Sequence, residues 1–152
     1  MTDDETLLER VGAAFDALDP VPAQVRDAAL AALASRRPGA ALAELSADSA
    51  EGVPDGTAAG VRREHGARLL IFTGPGVTVE VEVTGAGAGR ELAGRLDPPA
   101  PAAVSVRHRH GEVAARADRA GHFVVPAVPA GPISLVFELT DASSIVTSWV
   151  RL

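Results

Sequence analysis

The stretch Val77-Thr78-Val79-Glu80-Val81-Glu82-Val83-Thr84 alternates without exception, with valine at every odd position and a polar residue at every even one. Successive side chains of a strand point to opposite faces. The period of two therefore predicts a strand with four valines in a core and two threonines and two glutamates in water. Gly74-Pro75-Gly76 turns the chain into this strand from residues 68–73, a run that is apolar on both faces and predicts a central buried strand. On the other side, beyond the glycine and alanine tract 85–89, Leu92 and Leu96 face inward on a shorter strand that ends at Asp97-Pro98-Pro99.

The same period continues to the end of the sequence. Val104 and Val106 precede His110-Gly111, and Val113, Ala115 and Ala117 come after it, a hairpin with arginines and acids interleaved outside. Phe123 and Val125 open a further strand, Pro129-Ala130-Gly131-Pro132 makes a tight connection, and Ile133, Leu135, Phe137 and Leu139 alternate after it. Residues 145–152 form the last strand and carry Trp149, which is expected in the core or between sheets rather than as a platform for a ligand. Seven or eight strands with short turns and no intervening helix point to an antiparallel sandwich or barrel, and an antiparallel β-sandwich is expected over residues 68–152.

Upstream the period changes. Thr2 and Glu5 fit a capping box, acids fill the first turn, and Leu7, Leu8, Val11, Phe15 and Leu18 recur on one face of a helix that Asp19-Pro20 ends. Pro22 suits the first turn of a second helix with Val25, Ala29, Leu30 and Leu33 on its apolar side. Arg36 and Arg37 are expected in its last turn, where cations complement the dipole, before Pro38-Gly39. Residues 40–46 fit either a helical turn or a first strand. Residues 1–45 thus read as an acidic helical segment, and 46–67, with Gly52, Pro54, Gly56 and Gly60, as a loop or linker.

Composition narrows the classes of function. Thirty alanines inflate the 47% hydrophobic content, and with four Phe, one Trp and no Tyr the core must be built from Val, Leu, Ile and Ala. No apolar run approaches the length of a membrane span, and the acidic N-terminus lacks the positive region of a secretory signal, so a cytoplasmic protein is expected. The absence of Cys removes thiolate nucleophiles and Cys-bound zinc. A net charge of −6 without a single Lys argues against a nucleic-acid binder. The charge is also local: residues 1–60 hold eleven acids and four arginines, whereas 61–152 hold nine acids and ten arginines.

Chemical motifs are weak. Gly85-Ala86-Gly87-Ala88-Gly89-Arg90 fails as a dinucleotide fingerprint because Arg90 stands where the third glycine is needed. His108 and His110 share strand parity and His122 could join them at a metal, but a solvated hairpin end is the expected reading. His65 lies in the expected linker and adds nothing specific. Glu80 and Glu82 share a face that the alternation places in water, whereas acid catalysis requires a carboxyl group shielded by burial. No Gly-x-Ser-x-Gly elbow surrounds any serine. A protein without catalytic residues, metal or cofactor is expected.

Asp118-Arg119-Ala120-Gly121-His122-Phe123, then Val128-Pro129-Ala130-Gly131-Pro132 and the alternating strand after them, resemble the D-x-x-G-x-F and V-P-x-G-P core of carboxypeptidase-regulatory-like, transthyretin-like β-sandwich domains. The resemblance covers residues 68–152 and implies a noncatalytic accessory or interaction module. The whole chain, with Asp16-Ala17-Leu18-Asp19-Pro20-Val21-Pro22 and the closing Trp149-Val150-Arg151-Leu152, is similar to small actinobacterial proteins of unassigned activity whose genes accompany those of alternative sigma factors and caspase-like CHAT proteins. That similarity implies a protein partner, a sigma factor or a CHAT-type protein.

The expected function is that of a regulatory or adaptor protein. Leu7, Leu8, Val11, Phe15 and Leu18 would anchor the partner, and Asp3, Asp4, Glu5 and Glu9 would steer towards a basic surface. The same stripe could instead cover the sandwich's own core. A small-ligand or carbohydrate-binding sandwich is the alternative, and it requires an exposed Trp149.

Overall fold

The computed structural model describes residues 3–34, 36–50, 67–85, 87 and 89–152. The chain divides into two compact units, residues 1–36 and 37–152. The first holds α1 (Asp3–Leu18) and α2 (Ala23–Ala34). Asp3, Asp4 and Glu5 occupy the first turn of α1, where a helix dipole favours acids, and the Asp19 N–H donates to the Phe15 carbonyl at 2.8 Å as the helix ends. The Pro22 carbonyl accepts from Val25 and Arg26 and opens α2. Neither helix has a buried residue. The expected capping box lies partly outside the described residues, because Thr2 is not among them.

The second unit consists of ten strands: β1 (Ala41–Asp48), β2 (Arg68–Gly74), β3 (Val77–Thr84), β4 (Gly89–Asp97), β5 (Ala102–His108), β6 (Gly111–Ala117), β7 (His122–Pro129), β8 (Pro132–Leu139), β9 (Ser144–Thr147) and β10 (Val150–Arg151). They run in the order β6-β5-β8-β9-β1-β2-β3-β4-β7, with β10 on β8, and form a nearly closed barrel. β1 joins its two halves. Residues 41–43 pair in parallel with β9, and beyond them Glu44, Leu45, Ala47 and Asp48 pair antiparallel with β2.

Mainly β structure with helices at the N-terminus is as expected, but the details differ in three ways. The strands number ten, not seven or eight, because residues 41–48 form one and the last expected strand is two. The pair β1–β9 is parallel, so the sheet is not wholly antiparallel. The helical segment expected to reach residue 45 ends at Ala34, and Ser46 and Asp48, placed in the expected linker, lie on β1. The rest of that linker, residues 51–66 with His65, lies outside the described residues. Arg37 is consequently not in a helical turn: it forms an ion pair with Glu138 of β8.

The core draws all its members from residues 43–150, including Leu70, Phe72, Val79, Val81, Leu92, Leu96, Phe123, Phe137 and Ile133. Two glycines shape it. Gly94 faces inward between Leu92 and Leu96, directly across from Phe123 in the β4–β7 ladder, and the Phe123 ring lies where a side chain would stand. Gly121 has a φ of +80°, and a Cβ there would come within 2.8 Å of the Leu96 carbonyl oxygen. Its own carbonyl accepts from the Leu96 N–H at 3.0 Å. The Asp118 carboxylate completes the turn by accepting from the N–H groups of Ala120 and His122 at 2.8 and 2.9 Å. The D-x-x-G-x-F pattern is thus an Asx-capped turn, a left-handed glycine pressed on a neighbouring strand, and a core anchor.

Candidate functional site

A local departure from regular sheet lies between β9 and β10. Val136 pairs with Val146, and Ile133 pairs with Val150, so two residues of β8 face three of the other strand, Thr147, Ser148 and Trp149. This is a β-bulge, and it reverses the parity of the residues beyond it. Ile145 and Thr147 are buried, and regular alternation would bury residue 149; instead Val150 turns inward and Trp149 is 55% exposed. The expectation that Trp149 anchors the core is therefore overturned by one extra residue in the ladder.

Side-chain oxygens replace the ladder bonds that the bulge removes. The Ser134 hydroxyl, on a residue with no exposed surface, donates to the Thr147 carbonyl at 2.9 Å, and the Thr147 hydroxyl accepts from the Leu135 N–H at 2.9 Å. Ser148 ties the bulge to β1 where that strand changes sheets: its N–H donates to the Ala43 carbonyl at 2.8 Å, and its hydroxyl accepts from the Leu45 N–H at 2.9 Å. Every one of these bonds satisfies a polar group that would otherwise be costly to bury.

Arg107 of β5 reaches across this feature. Its guanidinium donates to the Ser134 hydroxyl at 3.0 Å and lies 5.5 Å from the Trp149 ring centroid, within the range of a cation–π contact. Burial pulls the guanidinium below its ordinary pKa, Glu112 opposes that shift, and Arg37 adds to it. It stays a cation at neutral pH, as arginines in proteins do. The result is a surface tryptophan between the hydrogen-bonded Ser148 and the paired Val150, with an arginine over one face of its ring. Replacing Trp149 by alanine is expected to cost less than about 1 kcal/mol of stability in urea denaturation, against the roughly 3–5 kcal/mol of a buried tryptophan.

The other candidate groups are not brought together. The His108 and His110 rings stand 6.2 Å apart between centroids, but the His108 Nδ1 accepts from the His110 N–H at 3.2 Å, and the His110 Nε2 accepts from the Arg109 Nε at 2.7 Å. His122 comes after the turn at the far end of β6, roughly 20 Å of strand away, beside Asp118. Among the described residues no group of three or more His, Cys, Asp or Glu side chains could hold a metal. Glu80 forms an ion pair with Arg95 at 3.2 Å on the exterior of the sheet, and with Glu82 and His122 it lines a shallow depression of about 240 Å³. The glycine tract forms the β3–β4 connection, and its Ala86 and Ala88 lie outside the described residues.

On α1 the five expected anchors are all exposed: Leu7 59%, Leu8 70%, Val11 44%, Phe15 67% and Leu18 84%. Among the described residues no helix is long and apolar enough to cross a membrane. Fold and surface together define a mainly β protein with an acidic amphipathic helical segment and an exposed Trp–Arg pair. Comparison with protein-family models, with curated proteins and with solved structures finds no match.

The residues around Trp149 were missed as a group, although a signal exists. Thr147-Ser148 interrupts the apolar alternation between Ile145 and Val150.

Proposed function

We propose that this protein is a noncatalytic regulatory or adaptor protein that binds a protein partner through α1. The exposed stripe Leu7, Leu8, Val11, Phe15 and Leu18 carries the reading, since an amphipathic helix with no buried residue keeps its whole apolar face for a groove on another chain. The members of the β unit's core lie between residues 43 and 150. Charge selects the kind of partner. Asp3, Asp4, Glu5, Glu9 and Asp16 outnumber Arg10, the sole cation of α1, so the groove is flanked by basic residues. A sigma factor or a CHAT-type protein is the partner class that the sequence resemblance implies.

The test uses isothermal titration against sigma factors and CHAT-type proteins encoded by neighbouring genes. Changing Leu8 and Phe15 together to Asp is expected to weaken binding by about tenfold or more while leaving the melting of the β unit unchanged. Unaltered affinity would remove α1 as the docking element. A large fall in melting temperature would instead make the stripe part of the fold.

The exposure of Trp149 favours a second reading, a small-ligand or carbohydrate-binding module that stacks its ligand on this ring. It is the only tryptophan, so its fluorescence reports the site directly. A saturable change in emission on titration with oligosaccharides would support this reading, and a flat titration would end it.

A further inference from the structure

The helical unit has no interior of its own. None of its described residues is buried, and its large apolar side chains are all exposed: the five anchors of α1, then Val21, Val25, Leu30 and Leu33. Together they present on the order of 1,000 Å² of apolar surface, against about 300–600 Å² for the largest patch of an ordinary monomer. Helices of 16 and 12 residues are marginal in water unless something covers them.

The two helices need different cover. On α1 the acids Glu5, Glu9 and Asp16 lie opposite the apolar stripe, so one groove satisfies it. On α2, residues 28–34 contain only alanine and leucine, and all of them are exposed. A helix that is apolar on every side belongs inside a bundle, with neighbours on more than one side. Val25, Ala29 and Leu33 follow each other at i, i+4 spacing along one side of α2, with the alanine in the middle.

We propose that the helical units of two copies of this chain associate about a two-fold axis beside Ala29, with α2 antiparallel to its counterpart and the α1 stripes closing over the pair as a four-helix bundle. In this register Ala29 meets Ala29, Val25 of each copy lies level with Leu33 of the other, and Leu30 lies level with Ala28. Alanine at the axis lets the two helices approach to about 8 Å. Arg26 and Asp27 lie level with Ala32 and Ala31, so no like charges meet there, and Glu5, Glu9 and Asp16 stay on the outside. Covering the apolar side chains of both copies removes up to about 2,000 Å² from water, which matches the roughly 1,200–2,000 Å² of a stable interface. The inference goes beyond the docking of α1 on another protein. Because the same stripe serves both, the dimer is the resting form and a partner must displace it.

Sedimentation velocity of the full chain over a wide concentration range, with no partner present, tests this. A concentration-dependent dimer is expected, and Leu30→Asp combined with Leu33→Asp should weaken it by about tenfold or more while the melting temperature of the β unit stays the same. The sequence has no cysteine, so a single introduced one reports the axis. Ala29→Cys should cross-link two chains under mild oxidation, and Arg119→Cys, exposed on the β unit, should not. A chain that stays monomeric overturns the proposal, as does a dimer that survives the double substitution or cross-links no better at position 29 than at 119. A fall in that melting temperature would make α2 part of the β unit's fold and overturn it too. A monomer that still binds a partner through α1 overturns this inference alone and leaves the docking reading standing. Should the double variant not fold, the cross-linking decides.

Discussion

Replacing Gly94 by alanine is expected to lower the unfolding free energy by about 3 kcal/mol and the melting temperature by about 10 °C. Gly94 stands on the inner face of β4, and a Cβ there would lie 2.6 Å from the Glu80 carbonyl oxygen of β3 and 2.9 Å from Cε1 of Phe123. Neither neighbour can yield cheaply. Glu80 is fixed in the β3–β4 ladder, and Phe123 packs edge to face on Phe137 with ring centroids 5.3 Å apart. Overpacking a core costs about 1–3 kcal/mol, and displacing an aromatic pair adds about 0.5–1.5 kcal/mol. Thermal and urea denaturation measure the loss. The mechanism has its own signature: Phe123→Leu should cost less in the Gly94→Ala background than in the wild type, because the smaller side chain relieves the crowding. Additive losses would show that the Phe123 ring is not what makes Gly94 necessary.

That crowding also explains how far the sequence could be read. The four valines of β3 declared their face because each inward position is large and each outward one polar. Leu92 and Leu96 identified β4, but the glycine between them carries no apolar signal, although it admits the Phe123 ring. β1 was ambiguous for a related reason. Its inward positions begin with Ala41 and Ala43, which fit a helix as well as a strand, and only its position between β9 and β2 settles the matter. Parity read forward from Ile145 failed at Trp149 because a bulge depends on bonds to distant residues, Ser134 and Ala43, that local pattern does not contain. The stripe of α1, by contrast, is a local helical periodicity and was legible in full.

Asp48 is expected to make the stability of the β unit fall in acid. Its carboxylate is 2% exposed and accepts from the Arg68 Nε at 2.8 Å, from a second Arg68 nitrogen, and from the Ala50 N–H at 2.9 Å. Arg68 in turn donates to the Arg151 carbonyl at 2.7 Å, so one ionised group fastens the end of β1, the start of β2 and the last strand together. The hydrogen bonds from Arg68 hold the carboxyl below its ordinary pKa; burial opposes them, and the Ala50 N–H and the guanidinium charge assist. A carboxyl group that is more acidic in the folded than in the unfolded chain adds stability above its unfolded pKa. That contribution disappears as the pH drops through the folded one. Asp48→Asn should therefore cost about 2 kcal/mol at neutral pH, where a charge-assisted pair becomes a neutral contact beside a half-buried guanidinium. The gap between variant and wild type should close below about pH 4, first as the carboxyl of the unfolded chain and then that of the folded one takes up its proton. Urea denaturation at a series of pH values separates charge from shape. A gap that persists unchanged in acid would mean that the asparagine disturbs packing, and that the ion pair contributes little to holding the two halves of the sheet at β1.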